Sequence, residues 1–136
     1  MFSSDNRVGR LVELRVQTPM NLEEMAELQR RHLQVLQSLE GSFVIVTDLR
    51  HAHVFPPDIT EAFIQMMGRI NPDLERSAVL INESAVLGLQ AERAIAEAGN
   101  PNRRSFREPD ELMDWLSDVL DPSERTRLQA FLHEGE

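Results

Sequence analysis

Residues 43–49 read Phe43-Val44-Ile45-Val46-Thr47-Asp48-Leu49, and how this stretch is read decides the fold. Its first four side chains are apolar, and Val44 to Thr47 are all β-branched. A half-exposed strand alternates apolar with polar, and an amphipathic helix repeats about every 3.6 residues; this run does neither. It is the pattern of a short strand covered on both faces, as in a parallel sheet with helices packed on either side. Ala78-Val79-Leu80-Ile81 repeats the pattern, within a strand expected over Ser77–Ile81.

Helical patterns flank these two runs. Upstream, Asn21 followed by Glu24 predicts a capping box, opening a helix to about Leu39 that stops at Gly41. His32 falls on its broad apolar face and reads as a buried, hydrogen-bonded histidine. Between the runs, Asp58 and Glu61 predict a second capping box, and Ile59, Phe63, Met66 and Ile70 follow at helical spacing. Asn71-Pro72 ends that helix. After the second run, Asn82 or Ser84 starts a helix that Gly99 terminates.

At the N-terminus, Met1–Ser4 is expected as a short edge strand, Asp5-Asn6-Arg7 as a turn, and Val12, Leu14 and Val16 as the alternating face of a second strand. Towards the other end, a very short strand is expected around Phe106, within Arg104–Arg107. A helix with Pro109 in its first turn and a last short helix from Asp121 follow, the latter burying Leu128, Phe131 and Leu132. Strands alternating with helices predict a single α/β domain. Its mostly parallel sheet has about four or five strands, with an antiparallel hairpin at its N-terminal edge and helices flanking it. Residues 1–120 form the domain, and residues 121–136 are an acidic helical extension packed on it.

Composition narrows the function. The 136 residues carry a formal net charge of −9. From Glu108 onward there are nine acids and two arginines, so most of the acidity lies at the C-terminal end. Nucleic-acid binding needs clustered positive charge; the chain has no large basic stripe, the short group Arg103, Arg104 and Arg107 being the only exception, so no nucleic-acid partner is expected. Every basic residue is arginine, which leaves out Schiff-base chemistry and a phosphate-loop lysine. No apolar stretch is long enough for a membrane-spanning helix. Zero cysteines excludes thiol chemistry and suits a cytoplasmic protein. No cofactor is implied.

The loop after the first apolar run, Thr47-Asp48-Leu49-Arg50-His51-Ala52-His53-Val54-Phe55-Pro56-Pro57-Asp58, is the most distinctive connection in the chain. His51 and His53 with Asp48 or Asp58 offer nitrogen and oxygen ligands, but zinc needs a third or fourth fixed ligand, so no metal is expected. His51 or His53 with Ser77 or Ser84 lacks the glycine-flanked setting of an activated nucleophile, and Ser84 suits a helix cap better. No catalysis is therefore expected. Ligands of open parallel sheets gather at the carboxyl ends of the strands. Asp48, His51, His53, Val54, Phe55, Pro57 and Asp58 are thus expected to face a protein partner, with Asn82, Glu83, Ser84 and Arg107 as a secondary surface. For Phe55, packing beneath the following helix is an equal alternative.

The order of elements, the strand ending in Asp48-Leu49, and the terminal Arg104-Ser105-Phe106-Arg107-Glu108-Pro109-Asp110-Glu111-Leu112 resemble the STAS domain of bacterial anti-sigma-factor antagonists. They resemble in particular the STAS-like proteins related to the lipid-binding SEC14 fold. The resemblance spans about residues 1–120 and implies a regulatory protein-interaction module. The family's phosphorylated serine would fall near Pro56-Pro57, where no hydroxyl exists, and Thr60 is the nearest. The resemblance therefore implies a module without the phospho-switch. Its alternative is a carrier or sensor of a small apolar ligand. Assembly as a homodimer is left open.

Overall fold

The computed structural model describes residues 1–136. Five strands lie in chain order in one sheet: β1 (Phe2–Val8), β2 (Leu11–Val16), β3 (Phe43–Asp48), β4 (Leu74–Leu80) and β5 (Arg103–Phe106). β1 runs antiparallel to β2, and the other pairs are parallel. The helices are α1 (Leu22–Gln37), α2 (Pro57–Ile70), α3 (Ala85–Ala98), α4 (Pro109–Ser117) and α5 (Pro122–Glu134). This is the single mixed α/β domain that the two apolar runs require.

Every residue of β3 is buried, because both faces of the sheet are covered. Leu14 and Val16 pack with Met25, Leu28, Ile59 and Leu87 on the face of α1, α2 and α3. Val12, Ile45 and Leu74 join Val35, Leu36 and Ile70 on the same face. Leu11, Val44, Val46, Ala78 and Leu80 point the other way, onto Leu112 and Leu116 of α4 and Leu128 and Phe131 of α5. The two-residue alternation within each strand feeds two cores at once. Because α5 shares the second core with three strands, it is an integral layer of the domain.

Three local expectations are corrected. The hairpin turn lies at Gly9-Arg10 and not at Asp5-Asn6-Arg7: β1 continues to Val8, and Gly9 adopts a φ of 56°. Asn6 assists from within the strand, its amide donating to the carbonyls of Gly9 and Leu11. Asp58 and Glu61 do not form a capping box; α2 begins at Pro57, with Pro56 as its cap and no side-chain cap bond. A proline fits this first helical position because its missing N–H would have had no helical partner. β4 begins at Leu74, three residues before the expected Ser77.

Candidate functional site

The connection from β3 to α2 is built around a buried carboxylate. Asp48, whose side chain is 2% exposed, receives Arg15 Nη1 at 2.5 Å and Arg50 Nε at 3.0 Å. Both guanidinium groups continue to the end of α5: Arg15 Nη2 donates to Phe131 O at 2.5 Å and Arg50 Nη2 to Leu132 O at 2.6 Å. His51 Nε2 lies 2.9 Å from Gly135 O. The last-turn carbonyls of a helix lack intrahelical donors, and cations there also meet the negative end of its dipole. Burial lowers the Arg15 pKa, and Asp48 opposes that shift. Gly135 fits because a Cβ there would run into Arg15, Asp48 and Arg50.

The rest of the loop is pinned to its neighbours. Asn82 Nδ2 donates to Arg50 O and Ala52 O, and its Oδ1 accepts from Ser84 N. His53 N donates to Thr18 Oγ1 at 2.9 Å. The Gln90 amide pairs with both backbone groups of Phe55, at 3.0 and 2.8 Å. The Phe55 ring is buried and meets Phe63 edge-on, with centroids 5.4 Å apart.

These contacts sort the residues expected at a partner surface. Asp48 and Phe55 are buried and present no surface, which corrects that expectation for Asp48 and leaves Phe55 with its alternative, packing beneath the helix. For Asp48 the reason is its two arginines, and for Phe55 it is the apolar space under α2 and α3. Asn82 and Ser84 are half-buried and structural, Ser84 Oγ capping α3 through Leu87 N at 3.2 Å. His51, His53, Val54, Pro57, Asp58, Glu83 and Arg107 are exposed. No three His, Asp or Glu side chains converge as a metal ion needs. Arg103 is buried, whereas Arg104 is exposed and lies over Trp115, so the three clustered arginines do not form one patch.

Between the sheet and α1–α3 lies a cavity of about 90 Å³. Its walls are mostly apolar, with Leu49, Phe63, Met66, Leu87 and Ile95 among them. Its polar lining is His32, Thr47, Thr60, Ser77, Gln90 and Arg103, and no acid is present. Ser77 pairs in register with Ile45 on one side and Arg103 on the other, so all three stand in one row on this face. Ser4 Oγ lies 2.8 Å from His32 Nδ1, as expected for a buried, hydrogen-bonded histidine. Burial, followed by the Arg103 charge, lowers the His32 pKa to about 4, so the ring is neutral near pH 7. Arg103 Nε donates to Asn71 Oδ1 at 2.9 Å and Nη2 to Met67 O at 3.1 Å. Sequence reasoning missed Ser77 and Arg103 as a pair. The available signal was their place on alternate positions of two short strands, but it has meaning only once the register is known.

Comparisons with protein-family models, with characterised proteins and with solved structures find no match for this chain.

Proposed function

We propose that this protein is a non-catalytic, STAS-like interaction module that binds a protein partner through the carboxyl-end surface of its sheet. The observation that carries this reading is a rigid loop with an outward apolar tip. Val54 is 52% exposed between backbone groups fixed by Thr18, Asn82 and Gln90. Val86 and Leu89 of α3, which leaves the same end of the sheet, are 50% and 72% exposed. A preorganised loop loses little conformational entropy on binding, and apolar side chains set among polar ones suit the centre of an interface. His53 and Asp58 supply the polar surround.

Catalysis finds less support. His51 already contacts Gly135 O, and Ser84 caps a helix. A carrier of a long lipid would need several times the space of the 90 Å³ cavity. The reading also has no phospho-switch, since Pro56 and Pro57 stand at the expected position.

The test is affinity capture from the native cell with wild-type protein and with Val54→Asp and Leu89→Asp. A partner should be recovered in stoichiometric amount with wild type and lost with both variants, whose melting midpoints stay unchanged. Identical recovery with all three would rule this surface out.

A further inference from the structure

We propose that the cavity beneath α1–α3 binds a small monocarboxylate with an apolar tail, its carboxylate held by Arg103 and Ser77. Arg103 is only 7% exposed and forms no ion pair; burial is the sole cause of its lowered pKa, about 10, and no carboxylate opposes it. Burying a cation without a counterion is costly, and structures normally avoid it. The carbonyl end of α2 offsets part of that cost, since Met67 O accepts from Nη2, but a helix end supplies only about half a charge.

The remaining donors define what is missing. Arg103 bonds through Nε and Nη2, which leaves Nη1 without a protein acceptor. Ser77, 2% exposed, makes no side-chain hydrogen bond, and neither does His32 Nε2. No fully enclosed side-chain atom lacks a partner, so each of these atoms keeps some accessible area, and Arg103, Ser77 and His32 all line the cavity. A guanidinium N–H and a hydroxyl, with an imidazole Nε2 that donates when Nδ1 accepts from Ser4 Oγ and with no acid in the lining, form a set that suits an anion. The walls opposite are apolar and place the rest of the ligand away from water. The volume of about 90 Å³ suits a short-chain acid and excludes a long fatty chain.

Structural capping of α2 is the competing explanation, and it requires no ligand. Titration calorimetry at pH 7 with hexanoate, hexan-1-ol and hexylamine separates the two. Hexanoate should bind wild type at a single saturable site, with the alcohol and the amine about 10- to 100-fold weaker, as loss of a charge-assisted bond implies. Arg103→Gln should remove the preference for the acid over the alcohol. Should Arg103→Gln fail to fold, Ala91→Phe, which fills the cavity from α3 and leaves Arg103 in place, should abolish hexanoate binding. The proposal is overturned by absence of saturable hexanoate binding to wild type, by equal affinity for acid and alcohol, or by hexanoate binding to folded Arg103→Gln or Ala91→Phe at wild-type strength.

Discussion

Asp48 and Arg15 meet at 2.5 Å, and the same guanidinium reaches Phe131 O, so one ion pair ties β2, β3 and the end of α5 together. Removing one partner of a buried pair leaves the other charge uncompensated and costs about 3 kcal/mol or more. Asp48→Asn keeps the volume and removes the charge. It is expected to lower stability by about 3 kcal/mol in urea unfolding. Amide exchange over residues 128–135 should accelerate at the same time. A loss below about 0.5 kcal/mol, typical of surface changes, would show that the cluster is not stabilising.

His32 makes folding sensitive to acid. Its folded pKa is about 4 against an ordinary 6.5, so between those values the unfolded chain binds a proton that the folded one does not. The stability linked to this group is complete above pH 6.5 and is lost as pH falls towards 4. Between pH 7 and pH 5 the loss is about 2 kcal/mol. His32→Gln should be less stable at pH 7 and should lack this part of the pH dependence. An identical slope in both proteins would remove His32 from the account.

α5 has little intrinsic reason to stand alone at its length, so its buried residues hold it. Phe131→Ala is expected to cost about 3–5 kcal/mol. Glu136→Ala, at an exposed residue, should change stability by less than about 0.5 kcal/mol. Thermal and urea melts of the two variants make the comparison. Equal small effects would mean that the α5 side of the core is not cooperative with the sheet.

Gly9 has a φ of 56°, and a Cβ added there would meet the side chain of Glu124. Glu124 is itself fixed, accepting from Arg10 N at 2.7 Å and closing the capping box with Asp121. Gly9→Ala should therefore destabilise by at least about 1 kcal/mol, the usual cost of a left-handed conformation plus the displacement. A neutral result in urea unfolding would mean that the turn relaxes freely.

Thr60 should carry no phosphate. It is 7% exposed, and its hydroxyl donates to Pro56 O at 3.2 Å. Intact-protein mass spectrometry on material from the native cell checks this. A stoichiometric phosphate at Thr60 would restore a switch to the proposed interaction module.

The legible parts of the fold are those where one physical signal dominates. Val44, Ile45 and Val46 could only be a doubly covered strand, and Ser84 and Gly99 bound α3 because a cap and a left-handed glycine leave few alternatives. The misread parts are places where one motif has two uses. Asp5-Asn6-Arg7 has turn composition, yet Asn6 supports a turn three residues later. Asp58 and Glu61 have capping spacing, yet Pro57 already starts the helix. Asp48 looks like a surface carboxylate until Arg15 and Arg50 converge on it from separate segments. Arg103, Arg104 and Arg107 read as one basic group; only the pairing of β5 with β4 turns Arg103 inward.

The contacts of α5 span most of the chain: Arg15 bonds Phe131 across 116 positions, and Glu13 bonds Arg127 across 114. During synthesis the strands emerge long before that helix. Leu11, Val44, Val46, Ala78 and Leu80 therefore remain uncovered until the last quarter of the chain is made. A nascent sheet with one bare apolar face is a target for premature association. A chain halted before residue 109, ahead of both α4 and α5, would expose that whole face while α1, α2 and α3 can close the other.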